Sequence, residues 1–237
     1  MNKGYVLFEG ASLLDGEPIA VIATMASSNV KTGLSGKRNM VQTWVIRTDI
    51  GPHDALKTGQ DISVCGDCQH RPANDGTCYV TVFQAPLAVY KGYKRGIYSR
   101  DIAQFYSDIE NRTVRFGAYG DPAAAPTELW STISANCKGT TGYTHQWERL
   151  GFDPDLLNYV MASVDNPEQA ARVGSRYFRV KTPDSPVLAG EVECLSDSKG
   201  LKCSDCLVCD GGDKGKSIYI TAHGAKANKF SDVIAIG

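Results

Sequence analysis

MASVDNPEQAARVGSRYFRVKT, residues 161–182, decides the architecture. MASVD (161–165) is an apolar run, NPEQAARVG (166–174) follows, and YFRVKT (177–182) is rich in β-forming residues. The middle piece has Pro167 near its start and Gly174 at its end, the asymmetry of a helix. A strand, a helix and a strand in so short a stretch predict parallel strands joined by a helical crossover. The rhythm extends both ways. DIAQFYSDIEN reads as a helix, TVRFGAYGD (113–121) as a strand, PTELWSTISAN (126–136) as a helix, TTGYTHQW (140–147) as a strand and DPDLLNYV as a short helix. Downstream, EVEC opens a Cys-rich loop and KSIYITAHG closes it with a strand.

Before residue 101 the pattern differs. GYVLFEG and PIAVIATMA flank the turn signal LLDGEP and predict a β hairpin. VQTWVIRTD (41–49) and YVTVFQAPL (79–87) read as further strands, with a short helical segment around His53 to Lys57. The expected fold is α/β, a small or irregular (β/α) barrel with an N-terminal β hairpin and Cys-rich metal-binding insertions. It forms a single domain over 1–237. Residues 1–100 hold the N-terminal strands and first Cys cluster, and 101–237 hold the β/α repeats and C-terminal Cys loop. A dinucleotide-binding sheet would carry a glycine fingerprint after its first strand, and none is present.

With 42% hydrophobic residues, the chain of 237 residues can build a packed core. Its net charge of -1 excludes a global basic field, so any nucleic-acid surface must be a local patch. The first residues lack a signal-peptide pattern, and no run approaches the ~20 apolar residues of a membrane helix. A cytoplasmic protein with no membrane partner is expected.

Seven of the eight cysteines fall in two clusters, the spacing of metal ligands rather than of a disulfide framework. Cys194 precedes Cys203, Cys206 and Cys209, a C-x2-C-x2-C run followed by Gly211 and Gly212. Four thiolates suit a closed tetrahedral zinc site, and the run is also compatible with an iron–sulfur cluster. Disulfides or packed thiols are the alternatives, but the hydrophilic residues between these cysteines make a poor core strand. The earlier cluster, Cys65, Cys68, His70 and Cys78, is less complete and offers a second zinc or an iron–sulfur site. Cys137 stands alone and reads as a structural thiol.

Polar residues fall at the carboxyl ends of the expected strands, where a β/α barrel forms its active site. Asp121, His145, Gln146, Ser163, Asp165, Lys181 and His223 occupy those ends. Two aspartates on such a rim can divide nucleophile and acid/base roles when their environments differ. Asp165 is equally placed to cap the helix after Asn166-Pro167, Asp121 to make a turn before Pro122, and His145 to sit satisfied in the core. Lys91, Tyr93, Lys94 and Arg95 interleave cations with aromatics and are the best local candidate for a nucleic-acid surface. Lys31 lies in a Gly-, Ser- and Lys-rich loop able to meet an anion. A solvated face or loop is the alternative for both.

A Cys-rich loop after β/α units, with a histidine further on, resembles the tRNA-guanine transglycosylase superfamily. CGDCQHR (65–71), CYV (78–80), ASVDNPEQAARVGSRYFRVKT (162–182) and the Cys loop ending in AHG (222–224) look like small phage proteins. The resemblance is to phage DpdA-type DNA 7-deazaguanine transglycosylases, over roughly the C-terminal two thirds. The first spacing in Cys203-x2-Cys206-x2-Cys209 departs from the superfamily motif, and its Gly-Gly-Leu stretch and its usual aspartate motifs are absent in recognisable form. The resemblance implies exchange of guanine in DNA for a free 7-deazaguanine (preQ0-type) base. Asp121 and Asp165 would be the nucleophile and its partner, and His145 and Gln146, with Ser163 and Lys181, would contact the base. Lys31, Lys91, Tyr93, Lys94 and Arg95 would hold DNA, and the zinc would be structural. A non-enzymatic zinc-containing nucleic-acid-binding protein and an iron–sulfur radical-type enzyme are the competing expectations.

Overall fold

The computed structural model describes residues 3–26, 40–71, 76–223 and 227–234. Lys31 and its loop lie outside them. The hairpin forms as expected: β1 (Gly4–Ala11) and β2 (Pro18–Thr24) pair antiparallel, and β3 (Val41–Arg47) adds antiparallel to β2. Beyond β3 every ladder is parallel. β4 (Thr113–Tyr119) pairs with β3, and β5 (Gly139–Thr141) with β4. β6 (Tyr143–Thr144) pairs with β7 (Met161–Val164), and β7 with β8 (Tyr177–Lys181). β10 (Ser217–Thr221) sits between β8 and β9 (Glu191–Glu193).

The result is a mixed α/β fold with two five-stranded sheets, ordered β1-β2-β3-β4-β5 and β6-β7-β8-β10-β9. Among the described residues each sheet ends in two edge strands, β1 and β5 in the first and β6 and β9 in the second. The sheets meet where β5 runs into β6 across Gly142. Its N–H donates to the Cys209 carbonyl (3.1 Å) and its carbonyl accepts from Met161 N–H (3.0 Å). A Cβ here would stand 2.8 Å from Val160 Cγ1 and 2.9 Å from Phe116 Cβ, so only glycine lets the strand change partners at this point.

The helices are α1 (Pro52–Thr58), α2 (Ile62–Cys65), α3 (Ala85–Lys94), α4 (Ile102–Ile109), α5 (Thr127–Ala135), α6 (Pro167–Arg172), α7 (Leu195–Lys199), α8 (Cys203–Cys206) and α9 (Ala227–Ile234). The 79–87 strand does not form. Residues 80–84 are irregular and Ala85 opens α3, with Pro86 in its first turn, where a missing N–H does no harm. Of the apolar side chains that suggested a strand, Val82 is buried in the core, while Tyr79 is 76% and Phe83 62% exposed.

β3 and β7 are buried at every position, as strands covered on both faces are. The main core lies on the first sheet, where Tyr5, Ile22, Ile46 and Phe116 are buried with Phe105 and Ile109 of α4 and Trp130 and Ile133 of α5. The second sheet has smaller apolar clusters, Met161 with Cys209 and Ile218, and Ala162 with Val164 and Tyr177. It also buries an ion pair. Arg179 Nε reaches Glu191 Oε1 at 2.6 Å and Nη2 reaches Oε2 at 2.7 Å, with side chains 1% and 0% exposed.

Gly142→Ala is expected to lower unfolding free energy by about 1–3 kcal/mol in urea denaturation, because Val160 and Phe116 must move. The Glu191 pair has a pH signature. Burial opposes the carboxylate, but the Arg179 hydrogen bonds outweigh it and hold Glu191 below its ordinary 4.5. Stability from a lowered carboxyl pKa is present above the unfolded pKa and is lost as pH falls through the folded one. Glu191→Gln leaves Arg179 without its counter-charge and should cost about 3–5 kcal/mol at neutral pH. That gap should narrow below about pH 4.5; a gap constant down to about pH 3 would refute the assignment.

Candidate functional site

The carboxyl ends of β4, β6 and β7 lie side by side and carry Asp121, His145 and Asp165. Asp121 is buried, and both of its oxygens accept backbone N–H groups. Oδ1 takes Ala123 N–H at 3.0 Å and Oδ2 takes His145 N–H at 2.8 Å. Burial pushes its carboxyl up from the ordinary value, against these hydrogen bonds and that of Thr144. Asp121 therefore ties the end of β6 to the turn after β4.

Asp165 is 3% exposed. The α6 cap is Asn166, whose Oδ1 accepts Gln169 N–H at 2.8 Å, and this leaves the Asp165 carboxylate free for other partners. His70 Nε2 lies 2.8 Å from Oδ1, Gln69 Nε2 donates to Oδ2 at 2.5 Å, and His145 Nε2 lies 3.9 Å from Oδ1. Burial opposes ionisation, but the facing imidazoles of His145 and of His70, the latter hydrogen-bonded, prevail and hold Asp165 far below the usual carboxylate range. His145 shows the converse: burial disfavours its imidazolium, and Cys68 and Asp165 outweigh this and raise its pKa well above the ordinary value.

The ligand atoms of His70, His145 and Asp165 all lie within 4.8 Å of one another, so these three side chains can hold a metal ion. Among the described residues they are the group of this kind. Ligand atoms about 2.0–2.2 Å from a tetrahedral ion lie roughly 3.3–3.5 Å apart. The separations of 2.8 and 3.9 Å bracket that spacing.

The first Cys segment caps this centre. Asp121 N–H donates to Val64 O at 2.6 Å, and Gln146 Nε2 donates to Cys65 O at 3.1 Å while its Oε1 accepts Asp67 N–H at 3.1 Å. Gln146 thus holds the loop and has no amide group turned to a base. Burial, with Cys68, Asp61, Cys78 and Asp121 nearby, raises the Cys65 thiol well above its ordinary pKa. In the second cluster Cys203 and Cys206 stand at the two ends of α8, Cys194 precedes α7, and all eight cysteines are free thiols. Cys209 is pushed up to about 12 by burial and by Cys194, Cys203 and Cys206, against a hydrogen bond from Tyr143. Arg176 braces this loop through Val208 O, Gly211 O (2.9 Å) and Lys216 O (3.1 Å).

The remaining candidates lie elsewhere. The Lys181 ammonium donates to Thr182 O (2.9 Å) and Ser185 O (2.8 Å), closing its own turn instead of meeting a substrate. Ser163 is buried in β7 and its carbonyl accepts the Trp147 indole N–H at 2.9 Å. Lys91, Tyr93 and Lys94 lie at the end of α3 and Arg95 caps it. Tyr93 donates to Glu9 (2.5 Å), Lys94 to Thr48 O (3.2 Å) and Arg95 to Lys91 O (3.2 Å), none of them residues of the centre. His223 Nδ1 is 3.6 Å from Asp197 and exposed.

Three contributors escaped the sequence reading: Gln69, Thr77, whose Oγ1 is 2.6 Å from His70 Nδ1, and Phe230 of α9, stacked on the His70 ring at 5.3 Å. The signal for α9 was there in the i, i+3, i+4 spacing of Phe230, Val233 and Ile234. Gln69 and Thr77 carry no such signal. No protein-family model, curated protein or solved structure matches this chain.

The role given to Asp121 has a direct check. Asp121→Ala leaves two buried N–H groups without acceptors and should lower unfolding free energy by about 2–4 kcal/mol, with Asp121→Asn costing less. Denaturation midpoints of both variants measure this.

Proposed function

We propose that this chain is a base-exchanging enzyme of transglycosylase type, acting on DNA at the carboxyl ends of its parallel strands. One observation carries the reading: Asp121 and Asp165, from β4 and β7, both reach His145 at the end of β6, the first through its backbone N–H and the second at its ring. Two carboxylates whose surroundings push their ionisation in opposite directions suit divided roles. Asp165 is the nucleophile and Asp121 the positioning residue.

In the reaction, an Asp165 oxygen bonds to C1′ of a deoxyguanosine as the C1′–N9 bond breaks. Guanine leaves with the bonding pair and takes a proton from the His145 imidazolium. The incoming base returns a proton to His145, and its ring nitrogen displaces the carboxylate from C1′. The target nucleotide has to leave the base stack, at a cost of about a few kcal/mol. Guanine in DNA as target, and a free 7-deazaguanine of preQ0 type as the incoming partner, come from the resemblance, as does a closed barrel. Lys91, Lys94 and Arg95 at the exposed end of α3 would hold the DNA backbone. Structural zinc on Cys194, Cys203, Cys206 and Cys209 comes from the resemblance as well; among the described residues the ligand atoms that lie within 4.8 Å of one another are those of His70, His145 and Asp165, not these four thiols. A cytoplasmic location fits; among the described residues no helix is long and apolar enough to cross a membrane.

A second reading is favoured by the His70, His145 and Asp165 group itself. There Asp165, with His70 and His145, would hold a metal ion, which would supply an activated water in an open position.

One experiment separates the two. DNA is incubated with protein and preQ0, and its nucleosides are resolved by mass spectrometry, with metal content measured in parallel. A 7-deazaguanine nucleoside that Asp165→Asn reduces on the order of 10³-fold or more supports base exchange. No modified nucleoside in DNA or RNA, with one metal per chain that is lost in His70→Ala, selects the second.

A further inference from the structure

A cleft of about 360 Å³ lies apart from the strand-end centre, between β2, β3 and β4 and the start of α3. Thr24, Gln42, Trp44 and Arg115 line it from the sheet, and Tyr79 and Gln84 from the segment leading into α3. Its size falls in the range of about 300–1,000 Å³ typical of small-molecule sites. None of its lining residues belongs to the Asp165 centre. None is acidic, and Arg115 is the single charged side chain among them.

Arg115 is the anomaly. Its Nη2 donates to the Tyr79 hydroxyl at 3.0 Å, while Nε is buried with no hydrogen-bond partner. Among the described residues no carboxylate pairs with this half-buried guanidinium, and an anion supplied from outside would gain a charge-assisted partner. A second feature points the same way. Gln84, Ala85 and Pro86 open α3 into the cleft, and Gln84 as N-cap makes no side-chain capping bond. The start of a ten-residue helix carries partial positive charge that favours an anion, although Pro86 has no N–H and the Leu87 N–H is taken by Val82 O. Trp44 and Tyr79 add aromatic walls suited to a flat ring.

We propose that this cleft is a second binding site, for a nucleotide-like ligand. Its ring lies with Trp44 and Tyr79, and its phosphate sits between Arg115 and the first turn of α3. The site stands independently of base exchange. The same chemistry is offered by a free mononucleotide and by one residue of a single strand.

The test is calorimetric titration of the full-length protein with dGMP, deoxyguanosine and a short single-stranded oligodeoxynucleotide. dGMP is expected to bind saturably and deoxyguanosine about tenfold or more weakly than dGMP. Arg115→Gln should abolish that difference. Tighter binding of the oligonucleotide than of dGMP assigns a strand, and weaker binding assigns the free nucleotide. No saturable binding of either phosphate-bearing probe, or equal affinity in Arg115→Gln, overturns the proposal. If that variant does not fold, phenylglyoxal modification of the wild type, mapped by mass spectrometry, replaces it. Protection of Arg115 by dGMP supports the site, and unchanged modification refutes it.

Discussion

The arrangement turns on the close approach at Gly142. One stretch of chain pairs with β4 through residues 139–141 and with β7 through residues 143–144, so a single path belongs to both sheets. The change of partner brings Val160 and Phe116 against the glycine and leaves no room for a side chain. Its backbone groups are not lost in the switch, since Cys209 O and Met161 N–H take them. Because β4 pairs parallel with β5, and β6, which continues β5 past Gly142, pairs parallel with β7, the carboxyl ends of β4, β6 and β7 emerge together. Asp121, His145 and Asp165 are neighbours for that reason, although they are far apart in sequence.

The two Cys segments depend on this frame in different ways. The first is fastened over the strand ends by Gln146 and by Arg71, whose guanidinium pairs with Asp61 at 3.1 and 2.5 Å. The second is fastened beneath Gly142 through Cys209 O and gripped by Arg176. In small zinc modules, metal binding free energy is folding free energy. Here both loops have protein anchors of their own, so a metal would add local order to segments that the fold already places.

How much was legible follows from which contacts are local. The hairpin, β4, α5, β7, α6 and β8 were readable because periodicity, proline and glycine act within a few residues. Asp121 and Asp165 were readable as strand-end residues for the same reason. Their roles were not, because Asp121 is defined by the His145 backbone and Asp165 by Gln69 and His70, contacts set by the topology. Gln146 and Lys181 looked like free polar rim groups, yet each closes its own neighbourhood. The 79–87 error has the opposite origin: alternating apolar residues imitated a strand where Pro86 was starting a helix.

The centre is also covered. Phe230 is buried, and its ring lies 5° from parallel with His70, on the imidazole that binds Asp165. Asp165 is almost wholly enclosed, while the His145 side chain is 27% exposed. Proton exchange at His145 is therefore open to solvent, but a sugar carbon reaches the Asp165 oxygens only if the side chains that enclose them, Gln69 and His70 among them, part. Ligation of a small ion by the same three side chains needs only small shifts in their spacing. The cover over Asp165 is thus where the two chemistries differ most in what they demand of the fold.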